Sequence, residues 1–359
     1  MSVIQEVRLS RLEIPLRVPY KLAFGLVSHF DTLLVELVDT DGRSGYGEAT
    51  ILNGYTDETI EGSAAMLRQL AAELPGHEAA AVDTLLAPSL QAFPFTVSAL
   101  VSAAEMLHVP EVFRVERITR VPILGVVNGQ TDAAVFQEVN ALIERGHRTL
   151  KVKVGFDVAA DLAQVARVRR AVSGRALIRI DGNQGYDLDQ AFRFLEALDP
   201  ESIELFEQPC PASDWVSAVE VSRMSPVPMM LDESIYGLDD IRRAADFECA
   251  QFIKLKLMKM GSMHRLCEGL DLIRELGMTP VLGNGVASDI GCWMEAVAAV
   301  SRVPTAGEMN GFLKPVSSVL TQGLVMEDGA IVLTPHDAPK PDQEVLERFA
   351  VDRVVIAIN

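Results

Sequence analysis

Cysteine is scarce. Cys210, Cys249, Cys267 and Cys292 are the only four in 359 residues, and no two are spaced as CxxC. That density is far below a disulfide scaffold, so free thiols in a reducing cytoplasm are expected. No run of about 18 apolar residues occurs, so no membrane span is predicted. Residues 1–16 carry early charges and no apolar core, so no secretory leader is expected. Positive charge is in deficit: 32 Lys and Arg face 50 Asp and Glu, a net charge of −18. A field of that sign repels polyanions and excludes nucleic acid as an expected partner. Low-complexity tracts and linkers are also missing. What is present is apolar mass. Hydrophobic residues make up 49% of the chain, which excludes global disorder. The length suits one large domain of about 250 residues and a smaller one.

The pattern changes near residue 120. Residues 3–15 and 31–39 alternate apolar and polar side chains like strands, with Asp41-Gly42 as a turn and a further short strand ending at Gly45-Tyr46-Gly47-Glu48. Residues 57–74 and 94–108 carry helical spacing. Residues 1–120 therefore read as a small α+β domain. From 121 onward, short apolar runs alternate with amphipathic helices. The runs are 121–127, 149–154, 176–181, 202–207, 228–232, 252–257, 279–283 and 303–308. Strand–helix alternation requires parallel strands joined by crossover helices, and eight units is the number that closes a barrel. The expected fold is α/β: a (β/α)8-type, modified TIM barrel over 121–308 with an α+β capping domain. An open doubly wound sheet is the alternative, but no GxGxxG or P-loop accompanies the first unit. Residues 309–359 contain a hairpin turning at Asp328-Gly329 and are expected to return to the cap.

Charge interrupts the apolar runs at regular places. The second run carries Lys151 and Lys153, the third ends at Asp181, the fourth at Glu207, the fifth at Asp232, and the sixth carries Lys254 and Lys256. Successive gaps from Lys153 to Lys256 are 28, 26, 25 and 24 residues, so each residue holds the same place in its unit. In a closed parallel barrel that place is the C-terminal rim, where the strand ends converge on one mouth. Three carboxylates in a half-buried cup repel one another, and a hard divalent cation relieves the repulsion: Mg²⁺ first, Mn²⁺ second. A lysine beside a cation and another lysine favours its neutral form, which can act as a general base. Each residue alone has a plainer reading: a strand-end Asp can cap a helix, a KxK pair can face solvent, and Glu207 before Gln-Pro can make a rim salt bridge. The ordered set of lysine, three acids and lysine is harder to explain that way.

These residues resemble the enolase superfamily, and within it the muconate lactonizing enzyme (muconate cycloisomerase) subgroup. The resemblance rests on KVK at 151–153, DGN at 181–183, EQP at 207–209, DES at 232–234 and IKLKLMKMG at 253–261, with GYGEAT at 45–50 and GNG at 283–285. It implies Asp181, Glu207 and Asp232 as metal ligands, Lys153 and Lys256 as the two acid/bases, and Lys151 as an electrostatic helper near the substrate carboxylate. Asn183 would support the metal ligands, and Glu308 could donate a hydrogen bond to an enolate only if protonated. The seventh run ends in Asn284 where the mandelate racemase subgroup has His. The resemblance also implies a homo-oligomer, dimer or octamer.

The expected chemistry is removal of the proton α to the carboxylate of a small substrate, giving an enediolate stabilised by metal and Lys151. Return of the proton from the other face would make the protein a racemase or epimerase; a cycloisomerase is equally consistent. An o-succinylbenzoate synthase-like or other dehydratase is the next reading. A Schiff-base lysine enzyme and a non-catalytic acid-binding protein are rivals from other classes. Substrate selection is expected from cap residues 15–30 and 50–56, with Tyr20, Phe24, His29 and Tyr55 as lining candidates beside Asn284, and with Phe30 either lining the site or packing the cap.

Overall fold

The computed structural model describes residues 2–22, 25–53, 57–335 and 340–358. Phe24 and Tyr55 lie outside them, and of Tyr20 only the backbone is described. The cap opens with three antiparallel strands, β1 (Ile4–Leu22), β2 (Gly25–Asp39) and β3 (Ser44–Ile51). Their inward residues Val7, Leu9, Leu33, Val35 and Leu37 pack against α1 (Ile60–Ala72), α2 (Val82–Leu86) and α3 (Pro94–His108). α3 is buried from Phe95 to Leu107 because it lies directly on β3. A Cβ on Gly45 or Gly47 would overlap the carbonyls of Ala103 and Ala99, so the small residues of Gly-Tyr-Gly admit this approach.

The barrel units follow. β4 (Thr119–Pro122) and β5 (Gly125–Val127) divide what reads in the sequence as one run. Then come α4 (Asp132–Glu144), β6 (Thr149–Lys153), α5 (Val158–Val172), β7 (Leu177–Asp181), α6 (Leu188–Ala197), β8 (Ile203–Glu207), α7 (Trp215–Met224), β9 (Met229–Leu231) and α8 (Leu238–Asp246). β10 (Phe252–Leu255), a one-turn helix α9 (Leu257–Met260), α10 (Met263–Glu275), β11 (Thr279–Leu282) and α11 (Asp289–Ala299) complete the sequence. β5 to β11 form one seven-stranded parallel sheet in chain order. Four crossover helices are capped by side chains of Thr131, Asp157, Asp187 and Asp214. Capping thus falls to residues in the loops, and Asp181 and Asp232 at the strand ends are left for other work.

The eighth run corrects the sequence reading. Residues 303–308 form no strand; Gly307 makes one parallel bridge to Ile123. Closure comes from three backbone bonds: Gly307 N–H to Pro122 O (2.9 Å), Leu124 N–H to Gly307 O (2.8 Å) and Glu308 N–H to Leu282 O (2.9 Å). The buried Arg179 guanidinium adds a strut to Ala306 O at 2.7 Å. Gly283, at φ 143°, lets the end of β11 pass against the Glu308 backbone, where a Cβ would collide. The sixth strand is also shorter than its apolar run: it stops at Leu255, and Lys256 becomes the N-cap of α9.

The tail divides. β12 (Val325–Glu327) and β13 (Ala330–Leu333) turn at Asp328 and Gly329, both at positive φ, and β13 pairs with β4. After α12 (Gln343–Phe349), β14 (Ala350–Ala357) pairs antiparallel with β1. Among the described residues no helix is long and apolar enough to cross a membrane.

Candidate active site

The parallel register puts Lys153, Asp181 and Glu207 in one row, because Lys153 pairs with Asp181 and Asp181 with Glu207. Asp232 follows β9 on the next stave. All three carboxylates are buried. Lys151, two residues before Lys153 and on the same face of β6, reaches inward. Its Nζ lies 2.7 Å from Asp181 Oδ2, 3.0 Å from Glu207 Oε2 and 2.9 Å from Glu308 Oε2. Lys254 Nζ approaches from β10, 2.9 Å from Glu207 Oε1 and 3.3 Å from Asp232 Oδ2, and it bonds Glu308. Lys256 Nζ donates to Asp232 Oδ2 at 2.8 Å, and Lys259 Nζ to Asp232 Oδ1 at 3.0 Å. Four acids and four ammonium groups therefore share the mouth.

Burial sets their charge states, modified by neighbours. Burial and Asp181 push the Glu207 carboxyl up to about 7, against the pull of Lys151 and Lys254. Burial also opposes ionisation of Asp232, but Lys256, Lys259 and Lys254 outweigh it and hold the group well below the usual carboxylate range. The same balance, through Lys151 and Lys254, keeps Glu308 ionised. Glu308 consequently accepts hydrogen bonds from Lys151 and Lys254 here, and the protonated form that donation to an enolate would require is the disfavoured one. Burial disfavours the Lys151 and Lys254 ammonium groups, yet the surrounding carboxylates raise both. The carboxylates around Lys151 favour its charged form, which suits the electrostatic role expected of it. Burial lowers Lys259.

Asp181 Oδ2 and Glu207 Oε2 are buried without a hydrogen-bond donor; Lys151 faces them at contact distance but out of alignment. Both oxygens lie within 3.0 Å of Lys151 Nζ, and with Asp232 on the next strand they offer the all-oxygen donor chemistry that a hard divalent cation takes. Asn183, at φ 40°, ties the rim together. Its amide donates to Asp181 Oδ1 (2.9 Å), its Oδ1 accepts from Lys153 Nζ (2.8 Å), and its Nδ2 donates to Glu233 Oε1 (3.1 Å). Gln208 accepts from the amides of Asp232 and Ser234 and so fixes the loop after β9.

Other candidates sit elsewhere. Asn284 bonds the Val286 amide and Met258 Sδ, facing the seam between cap and barrel. His29 lies on the cap hairpin 3.4 Å from Asp31. There Glu13, His29 and Asp31 bring ligand atoms within 4.8 Å of one another, but Arg11, 3.1 Å from Asp31, already supplies positive charge. Phe30 packs with Leu16, Leu52 and Val286, where cap meets barrel. Sequence reasoning saw Lys254 beside Lys256 on the sixth run, where alternation puts both on one face, but gave it no role, and it gave none to Lys259 or Glu233.

A closed parallel barrel whose mouth gathers carboxylates and lysines beneath an α+β cap defines a class of enzyme, and comparison with known proteins names it. Residues 134–339 match the family model described as enolase C-terminal domain-like. The aromatic dipeptide epimerase of Herpetosiphon aurantiacus is 31% identical over 323 residues, 86% of this chain and 88% of that protein. The muconate lactonizing enzyme of Pseudomonas fluorescens, solved with muconolactone, superposes with a TM-score of 0.87 at 25% identity, covering 97% of this chain and 99% of that one. The dipeptide epimerase of Cytophaga hutchinsonii, solved with Mg and the dipeptide D-Ala-L-Val, gives 0.89 at 20% identity over 99% and 100% and shares the fold. The chain belongs to the enolase superfamily. It is an isomerase of the racemase and cycloisomerase kind within that superfamily.

Proposed function

We propose that the protein is a divalent-metal-dependent epimerase acting at the α-carbon of an amino-acid residue whose nitrogen is acylated, as in a dipeptide. The observation that carries this reading is the opposed placement of two lysines, Lys153 ending β6 and Lys256 following β10, on either side of Asp181, Glu207 and Asp232. The similarity to the Herpetosiphon epimerase supports the substrate class. Asp181, Glu207 and Asp232 would hold Mg²⁺, or Mn²⁺ in its place, which supplies Lewis-acid polarisation of the substrate carboxylate. Lys256 takes the α-hydrogen from one face of the substrate and Lys153 returns a proton to the other; the reverse reaction exchanges their roles. Lys151, held charged by the carboxylates, faces the negative charge that develops on the substrate carboxylate. Asn183 holds the Lys153 ammonium in place.

The test is α-hydrogen exchange in D₂O, followed by NMR, with Mg²⁺ and a panel of dipeptides and N-succinyl amino acids in both α-configurations. Lys153→Ala and Lys256→Ala should each lower exchange from one configuration by about 10²–10⁴-fold and spare the other. Exchange unchanged in both variants would overturn the two-base reading, and borohydride trapping of a lysine adduct would replace it with Schiff-base chemistry.

A further inference from the structure

We propose that Glu295, on the last barrel helix α11 behind the cap sheet, positions Lys256 for its half of the proton transfer by fixing the backbone turn that carries it. This inference rests on the assignment of Lys256 as a base. Lys256 is extended (φ −136°, ψ 134°) and caps α9, so its side-chain direction depends on the peptide that follows. Leu257 is held at both its backbone N–H and its C=O from outside the barrel strands. Leu257 N–H donates to Glu295 Oε1 at 2.9 Å, and Leu257 C=O accepts from the hydroxyl of Ser98 on cap helix α3 at 3.3 Å. Met258, the next residue, packs into the hydrophobic core of the cap, and its sulfur accepts from Asn284 at 3.1 Å. Lys153 is held differently. It lies within the β6–β7 ladder, and its ammonium bonds Asn183, itself a barrel residue. One base is thus set by the barrel and the other by the joint between barrel and cap.

Glu295 differs from a carboxylate that merely caps a helix. It is 1% exposed, one oxygen holds the Leu257 amide, and the other is buried with no donor. A cavity of about 20 Å³ separates it from Glu48 and Thr50 of the cap strand β3. The ammonium groups that face it are Lys256 and Lys254, and their attraction opposes the effect of burial, which raises its carboxyl to about 8. A buried, half-satisfied carboxyl beside a reactive lysine calls for an explanation, and support of the lysine's turn supplies one.

The experiment compares wild type with Glu295→Leu, which keeps the volume and removes the acceptor, and Glu295→Gln, which keeps an acceptor oxygen. Ser98→Ala removes the weaker grip. Amide hydrogen exchange at Leu257 should quicken about 10-fold or more in Glu295→Leu and stay near wild type in Glu295→Gln. In the D₂O assay, Glu295→Leu should lower kcat about 10–100-fold for the configuration that Lys256→Ala abolishes, with KM little changed, and by less than about 3-fold for the configuration that Lys153→Ala abolishes. Glu295→Gln should restore both. Equal losses on the two configurations, or none on either, overturn the assignment while leaving the two-base reading intact. If Lys153→Ala and Lys256→Ala do not divide the configurations, the parent reading fails and takes this one with it. Should Glu295→Leu not fold, Ser98→Ala decides: a loss of about 3-fold on the Lys256 side is expected, and a symmetric loss or no change overturns the proposal.

Discussion

The cap and the barrel mouth bury carboxylates in opposite ways. Glu58 of the cap takes donors on both oxygens: the Phe95 amide at 2.7 Å, the Thr96 amide and hydroxyl at 3.3 and 2.6 Å, and the Ser63 hydroxyl at 2.8 Å. Glu105 caps α10 through the amides of Met263 and His264 at 2.7 and 2.9 Å. These acids sit singly at helix starts, where orphan N–H groups and the helix dipole favour negative charge. At the mouth, Asp181, Glu207, Asp232 and Glu308 sit together, countered by ammonium groups, and two of their oxygens lack a donor. On the proposed function, the difference separates acids that hold the fold from acids kept available for a ligand. Desolvated, incompletely satisfied charge is costly, and it persists at a site that another positive centre completes.

The sharpest way to break this comparison is to remove one acid of each kind. Asp181→Asn should abolish metal-dependent α-hydrogen exchange, a drop of about 10³-fold or more. It should also erase the rise in Tm on adding Mg²⁺, which at 100 times Kd corresponds to about 2.7 kcal/mol in the wild type. Calorimetry with EDTA and with Mg²⁺ checks both; a Tm rise that survives in Asp181→Asn would place the metal elsewhere.

Next in size are the seam acids, which belong to neither group. Burial lifts Glu48 to about 7 and Glu295 to about 8, from an ordinary value of 4.5. The native state therefore holds protons that the unfolded chain releases, so stability falls as pH rises from about 4.5 toward 7 for Glu48 and toward 8 for Glu295. For Glu48 the loss is on the order of 3 kcal/mol. Urea melts across that range should show the fall, and Glu48→Gln should flatten its share; a wild-type profile that rises with pH in this window would contradict the assignment. The smallest effect is Glu58→Ala, expected to cost about 1–3 kcal/mol by leaving buried amides unpaired, while the Tm shift on Mg²⁺ addition stays as in the wild type.

Much of this arrangement was readable from spacing. Parallel units of nearly constant length bring Lys153, Asp181 and Glu207 into register, and the acid sequence on consecutive strands needs no tertiary knowledge to predict their convergence. Other parts were not readable for definite reasons. The run 303–308 has the composition of a strand, but one bridge and three backbone bonds close the ring there. The 325–333 hairpin announces its own turn, yet nothing in an edge strand's alternation says that its partner is β4. The charge of Lys151 and of Glu308 depends on neighbours contributed by distant strands. Glu295 looked like any residue of an apolar helix, because the group it holds is a main-chain amide, which has no sequence signature.

The way the ring closes has a mechanical consequence. Seven staves are laced edge to edge, and the eighth is fastened by a clasp at Gly307 with the Arg179 strut behind it. Glu308 rides on that clasp, so its carboxylate is placed by a handful of main-chain bonds and a pair of ammonium tethers, whereas the other three acids inherit their places from continuous lacing.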